Sequence, residues 1–303
     1  MEPVSNGVSF YKVKIFCIEY CIDSFTGVRV LIIIWNFMMK SKLLIAVLLI
    51  TVTAHAQSGR WIEGMYLQWG YNTEAYTKSN IRFHMENGDE FELHHAKAHD
   101  RRDWDDIYKE TFQVTIPQYN YRIGFYLNKQ HSRAIELNFD HAKYIVTDGQ
   151  NVHVTGTIDK QPVNGDSILN PQTFLHFEHT DGANWLNFNY VQQHVLLNTN
   201  HSKRPLLTYL WKAGAGFNIP RTDFTWRGNR LNNNFHIAGY NLDAEADLRL
   251  YPLKHFFIEL VGKTGYARYI NALADTRLTK GNSASHGIGF VEAVGLFGYD
   301  INF

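Results

Sequence analysis

The sequence predicts an all-β fold, a closed antiparallel up-and-down transmembrane β-barrel of about eight strands. Three observations lead to this prediction: segments in which apolar and polar residues alternate, connections that are short and long in turn, and an amphipathic segment at the carboxyl terminus. Alternation with a period of two is typical of strands whose two faces meet different environments.

The alternation is clearest in segment 241–251. Leucine or alanine occupies every second position, and Asp243, Glu245, Asp247 and Arg249 stand between them. These charges face either water outside a soluble sheet or the interior of a barrel whose outside contacts lipid. Seven further segments of about ten residues, the length that a tilted strand needs to cross a bilayer, show the same pattern. They are 64–72, 118–128, 133–144, 185–197, 208–219, 255–269 and 287–303.

The connections between these eight segments alternate in length. Those after the second, fourth and sixth segments are short, namely 128–131, 198–206 and 252–255. Those on the opposite side are 73–116, 147–183, 220–234 and 271–284. Transmembrane barrels of bacteria have short periplasmic turns and longer outer loops. We therefore expect the long connections, above all 73–116 and 147–183, to lie outside the cell.

The last segment ends on an aromatic residue. Phe297, Tyr299, Ile301 and Phe303 occupy every second position up to the end of the sequence. This pattern resembles the carboxyl-terminal assembly signal of bacterial outer-membrane barrels. From residue 57 to 303 the chain resembles small eight-stranded outer-membrane barrels of the OmpA, OmpW and PagP type, and its Tyr- and Asn-rich strands resemble uncharacterised barrels of the Bacteroidetes.

The resemblance implies a place in the bacterial outer membrane and carries no catalytic residue. It implies contact with outer-membrane lipid and lipopolysaccharide, and with the barrel assembly machinery. A formal net charge of zero over 303 residues argues against nucleic acid as a partner. No cofactor is expected, and the ligand stays open.

The amino-terminal region predicts export. Basic residues at 39–42, an apolar run at 43–52 and Ala54-His55-Ala56 have the form of a signal peptide spanning 39–56. Residues 1–38 are then expected to be a mis-assigned upstream extension, and the alternative is an uncleaved anchor over 28–52. Cys17 and Cys21 both precede the expected cleavage site, so the exported chain contains no disulfide.

In a membrane barrel, the charged residues of the alternating segments would face the lumen. Eight strands leave an interior that side chains just fill. Such charges must be paired or hydrated, so a structural network is favoured over an ion or proton path. The excess of acids leaves room for water, protonated acids or a cation. The predicted lumen charges are Arg122, Glu136, Asp140, Lys212, Asp243, Glu245, Asp247, Arg249, Glu259, Lys263 and Glu292.

Two polar clusters in the long connections are weak candidates for chemistry. His94, His95 and His99 lie near several aspartates, but their spacing matches no known metal motif, so a solvated loop is favoured. In "FEHTDGANW", Glu178, His179 and Asp181 bring together an acid, a base and a second acid. Lipid A deacylases carry a serine two residues after the histidine, where this chain has Asp181. A turn capped by Asp181 is therefore favoured over catalysis.

Three functions follow, in order of preference. The first is a non-catalytic outer-membrane barrel with a filled polar lumen and outer loops that bind a ligand or a surface. The second is a lipid-modifying outer-membrane enzyme that uses His179. The third is a soluble lipocalin-like carrier with the apolar face turned inward, because alternation alone does not say which face is inside.

Overall fold

A computed structural model describes residues 61–101, 118–179, 182–275 and 281–303. The predicted extension 1–38 and signal peptide 39–56 lie outside the described residues. No helix within the described ranges is long and apolar enough to cross a membrane. The strands are β1 (Gly64–Tyr76), β2 (Ser79–His84), β3 (Glu90–Ala96), β4 (Ala98–His99), β5 (Tyr119–Tyr126), β6 (Arg133–Asp140), β7 (Tyr144–Val146), β8 (Asn151–Ile158), β9 (Gln161–Ile168), β10 (Leu175–His179), β11 (Trp185–Asn198), β12 (Pro205–Asn218), β13 (Asp223–Trp226), β14 (Asn229–Asn232), β15 (Gly239–Leu250), β16 (Phe256–Leu273) and β17 (Ser283–Asn302).

Eight of these strands form a closed ring in the order β1, β5, β6, β11, β12, β15, β16 and β17. The ring closes because β17 pairs with β1 from Tyr76 opposite Phe290 down to Gly64 opposite Asn302. Every pairing is antiparallel between ring neighbours, so the barrel runs up and down as the sequence predicts. The predicted fold class is confirmed, and all eight predicted segments supply its strands.

The pairing register fixes the slope of the strands. Followed once round the ring from Leu67, the register reaches Gly289 of β17, whereas β1 pairs directly with Tyr299. The difference between these two positions of β17 is ten residues. Such a stagger requires strands tilted by about 40° from the barrel axis.

Side chains alternate strictly between the two faces of the wall. On β15, Asp243, Glu245, Asp247 and Arg249 are buried inside the barrel, and the leucines and alanines between them face outward. The outer surface is apolar around the ring, with exposed large side chains that include Leu67, Ile123, Ile135, Phe188, Trp211, Leu242, Leu248, Leu260, Val291 and Phe297.

Above the ring stands a second structure, which we call the outer cap: β2, β3, β4, β7, β8, β9, β10, β13, β14 and the upper ends of β16 and β17. The barrel sheet continues from β17 through β2, β3 and β8 to β9. A separate five-stranded sheet, in the order β14, β13, β10, β7 and β4, packs against it. Phe83 of β2 contacts Phe177 and Phe224 of the second sheet, with ring centroids 5.3 and 5.4 Å apart.

The outer cap is thus a two-layer β structure with its own apolar core. Its hairpin of β2 and β3 turns at residues 86–90, whose sequence is ENGDE. The solvated loop favoured for the cluster of His94, His95 and His99 does not describe the first two of them, because His94 and His95 belong to β3, which pairs with β2 and β8. The long connections bury Phe83, Phe91, Leu93 and Phe177.

Candidate functional site

The barrel interior is filled by a network of charged side chains. It contains four cations and seven carboxylates, none of which is more than 7% exposed. Inward positions of six of the eight ring strands, β5, β6, β12, β15, β16 and β17, supply them, so all eleven residues predicted for the lumen lie there. They are Arg122, Glu136, Asp140, Lys212, Asp243, Glu245, Asp247, Arg249, Glu259, Lys263 and Glu292.

Lys212 lies at the centre of the lower half of this network. Its Nζ lies 3.1 Å from a carboxylate oxygen of Glu136, 3.1 Å from Asp247 and 3.0 Å from Glu259. Glu245 lies 3.4 Å away. Because the ammonium group is fully buried, this ring of acids takes the place of its hydration shell.

Lys263 has the same role in the upper half. Its Nζ is 2.5 Å from Asp140, 3.2 Å from Asp243 and 3.9 Å from Glu292. Glu245 lies between the two lysines and also accepts a hydrogen bond of 2.5 Å from Arg122. The charges therefore form one connected network.

Acids outnumber cations, and neutral donors hold the surplus carboxylates. Asn72 donates to Glu292 at 2.9 Å, Gln68 to Glu259 at 2.9 Å and Asn138 to Asp140 at 3.1 Å. Other such donors are Asn120 and Asn187, and Tyr66, whose hydroxyl donates to Glu136 at 2.6 Å. The sequence analysis predicted the charged residues of the lumen but not these neutral donors, although the donors occupy the same alternating positions along the strands.

Aromatic layers close the network at both ends. At the short-turn end, Tyr66, Tyr126, Tyr251 and Phe257 form a buried cluster. The Arg249 guanidinium lies 4.6 Å from the Tyr66 ring centroid and 4.1 Å from that of Phe257. At the other end, buried rings of Trp185 and Phe290 stack with centroids 4.2 Å apart, directly beneath the outer cap. The described lumen side chains thus form a plug between two apolar layers.

The predicted Glu178 and His179 pair does not form a dyad. Because they are adjacent on β10, their side chains point to opposite faces. Glu178 lies 3.2 Å from Nε2 of His176, whose Nδ1 lies 2.9 Å from Asp148. Although burial opposes it, hydrogen bonding to Glu178 and Asp148 raises the pKa of His176 to about 9. Asp181, the third predicted member, lies outside the described residues.

His179 is fully buried in the core of the outer cap. Its Nε2 lies 3.1 Å from Nε2 of His286 on β17, and its Nδ1 lies 3.0 Å from Oγ1 of Thr222. Burial, followed by the neighbouring His286, holds the pKa of His179 well below its ordinary value. Burial also lowers the pKa of His286 to about 3. The two rings are therefore neutral, and their hydrogen bond ties the second sheet to the barrel wall.

The three histidines proposed as weak metal ligands do not converge. His94 Nε2 lies 2.7 Å from Thr155 Oγ1, His99 Nδ1 lies 3.0 Å from Thr147 Oγ1, and the exposed His95 has a positive φ of 55°. Among the described residues, no group of three or more histidines, cysteines or acids is placed to hold a metal ion.

Three of the four residues proposed as an assembly signal lie at the short-turn end of β17, and Phe303 follows directly after the strand. Phe297, Tyr299 and Phe303 are about half exposed on the outward face, and Ile301 lies between them. The same stretch pairs with β1 at the closing seam of the barrel.

A closed barrel that buries its charges and exposes a continuous apolar wall has the architecture of a transmembrane β-barrel. No protein family model matches the chain, and no curated protein matches it either. Solved structures of small barrels do match. Neisserial surface protein A is 7% identical, with a TM-score of 0.33 over 79% of this chain and 97% of its own.

Two further structures match to a similar degree. The outer membrane protein OprG from Pseudomonas aeruginosa is 10% identical, with a TM-score of 0.36 over 81% of this chain and 99% of its own. The attachment invasion locus protein Ail of Yersinia pestis is 11% identical, with a TM-score of 0.30 over 78% and 99%. Such low identities say nothing about function, and the barrel is defined by its own strand pairing.

Proposed function

We propose that this protein is a non-catalytic barrel of the bacterial outer membrane that presents the outer cap as a binding surface. The observation that carries the proposal is the filled lumen, in which paired charges lie between the aromatic layers at Tyr66 and Trp185. A plug of this kind offers no path for a solute. The outer cap is the part of the described chain that extends beyond the apolar wall, and exposed loops on a rigid scaffold commonly carry function.

The orientation follows from the two ends of the barrel. Short turns join the strands at one end, and the outer cap stands at the other. In outer-membrane barrels the short turns face the periplasm. The outer cap is then extracellular, outer-membrane lipid and lipopolysaccharide surround the wall, and the barrel assembly machinery inserts the chain.

Two measurements test this function. We expect a heat-dependent shift in gel mobility between unboiled and boiled samples of the outer-membrane fraction, because a closed barrel stays folded in detergent. We also expect an impermeant maleimide to label Lys160→Cys, in the β8–β9 turn, on intact cells, but not Lys254→Cys, in a short turn. Absence of the shift, or labelling of both variants alike, would refute the proposal.

The geometry does not support either alternative function. A carrier of apolar ligands needs an apolar interior, whereas this interior holds Arg122, Lys212 and Lys263 with their acids. A lipid-modifying enzyme would need His179 at the surface, whereas its ring is fully buried. We therefore expect an unchanged lipid A mass profile in a deletion strain. A changed lipid A profile in the deletion strain that His179→Ala reproduces would reinstate the enzyme.

A further inference from the structure

A small pocket lies on the outward face of the barrel sheet, where β17 passes from the barrel into the outer cap. It has a volume of about 300 Å³ and is lined by Arg82 and His84 of β2, Glu90 of β3, Ile270 of β16, and Ser283 and Ser285 of β17. The register places Ser285 opposite Arg82 and Ser283 opposite His84. Its side chains therefore belong to adjacent strands of one continuous sheet.

The lining suits a neutral ligand that carries several hydroxyl groups. Arg82 pairs with Glu90 at 2.6 Å, and both side chains are about half exposed, so their charges cancel while a donor and an acceptor stay available side by side. Each serine hydroxyl both donates and accepts, as a sugar hydroxyl does. Ile270, which is 59% exposed, supplies an apolar surface for the C–H face of a sugar ring. Because Glu90 neutralises Arg82, this ion pair offers no net positive charge to hold a phosphate alone.

The height of the pocket above the apolar wall indicates which molecules surround it. Val291 is exposed on the outward face of β17. Ser285 lies six residues further up, about 20 Å along the strand and about 15 Å along the axis of a barrel tilted by about 40°. That height lies above the acyl chains, in the layer that holds the headgroups of the outer leaflet.

The outward residues of β16 and β17 also change in chemical type with height above the apolar wall. Tyr266 pairs with Gly289, and its hydroxyl lies over Gly287, at the level where aromatic girdles meet the membrane interface. Arg268, opposite Gly287, comes next, and the pocket follows. One face thus carries, from bottom to top, an apolar wall, an aromatic ring, a cation and a hydroxyl-lined pocket. A glycolipid presents matching groups in the same order: acyl chain, interface, phosphate and sugar.

We propose that this pocket binds a saccharide unit, supplied by the glycolipid headgroups that surround the barrel. The inference rests on the proposed function, because the pocket reaches the headgroup layer only if the barrel spans the outer membrane with the outer cap outside. It assigns a ligand class to one face of the outer cap.

The test compares two matched pairs of substitutions in the full chain, purified in detergent. Arg82→Ala with Glu90→Ala removes the ion pair of the pocket. Arg227→Ala with Asp159→Ala removes an ion pair of 2.7 Å and similar exposure elsewhere in the outer cap. Ser285→Phe is a third variant, which fills the pocket and keeps its ion pair. The probes are lipopolysaccharide from the producing bacterium and the oligosaccharide released from it by mild acid.

We expect Arg82→Ala with Glu90→Ala, and also Ser285→Phe, to lower lipopolysaccharide retention at least tenfold, whereas the control pair retains it. The oligosaccharide should compete with the intact glycolipid. Stronger binding of the intact glycolipid assigns the site to membrane headgroups, and equal binding assigns it to free surface glycans. Unchanged retention in the pocket variants, or a failure of the oligosaccharide to compete, would overturn the inference.

The same samples separate this inference from the proposed function. A wild-type chain that shows the heat-dependent gel shift but binds no saccharide refutes the pocket alone. A wild-type chain without the shift refutes the membrane barrel and, with it, the inference.

Discussion

Replacing Lys212 by methionine tests whether the lumen charges are truly dry and paired. The lysine is fully buried and lies within 3.4 Å of Glu136, Glu245, Asp247 and Glu259. Arg122 would still contact Glu136 and Glu245, and Arg249 would still contact Glu259. Asp247 would lose the only cation with which it forms an ion pair in the described chain.

The expected loss follows from the cost of a buried charge without a partner. Breaking a buried ion pair from one side typically destabilises a protein by about 3–5 kcal/mol. With a urea dependence of about 2 kcal/mol per molar, the unfolding midpoint of Lys212→Met should fall by about 2 M. Adding Asp247→Asn removes the orphaned charge, so the double variant should recover most of this loss.

The measurement is urea unfolding in lipid vesicles, followed by tryptophan fluorescence and by the gel shift. Arg82→Met serves as a control, because its exposed pair with Glu90 should contribute at most about 1 kcal/mol. A Lys212→Met variant that loses less than about 1 kcal/mol would show that water screens the lumen charges, and the description of a dry plug would be wrong.

Three further outcomes are expected. The wild type should lose stability as the pH falls below about 6.5, because His179 and His286 are neutral when folded and protonated when unfolded. The loss should reach up to about 1.4 kcal/mol per pH unit for each histidine of the buried pair. His286→Gln should reduce this dependence of stability on pH, and an unchanged dependence would contradict the depressed pKa. Gly216→Leu should destabilise the barrel by about 1–3 kcal/mol, because its Cβ would collide with the backbone of Leu186 and with Asn187, whereas the outward Ala215→Leu should be tolerated in the same urea unfolding assay. Lys160→Gly should raise the free energy of unfolding by about 1 kcal/mol, because Asp159 and Lys160 both have positive φ in the β8–β9 turn. Lys78→Gly, at a position without positive φ, should give no such gain.

The sequence predicts the barrel well because each of its strands separates two unlike environments. The charges of segment 241–251 fall on one face of the strand regardless of which strands pair with it. Local periodicity therefore suffices to place Asp243, Glu245 and Asp247 inside. The end of β1 was missed, since the pattern continues through Asn72 to Glu74, which is also buried. Alternation does not say which residues touch, and the four acids around Lys212 come from three different strands.

The two-sheet packing of the outer cap was not predicted, because its order comes from contacts between distant segments. β4 and β7 have two and three residues, too few for a period to be visible. His179 and His286 are 107 residues apart in sequence, and neither shows a local signal of the pairing. The dense polar residues around His94 looked like a solvated loop, since the apolar partners Phe91 and Leu93 alternate with them over only one short strand.

The length of β17 links the assembly of the two parts of the molecule. One strand of 20 residues pairs with β1 at its lower end, with β16 along most of its length and with β2 at its upper end. The seam that seals the barrel and the first ladder of the outer cap sheet are therefore made by the same segment. A chain that has not yet placed β17 has an open wall and an unanchored cap sheet at once. We therefore expect closure of the barrel and anchoring of the cap sheet to depend on the same strand.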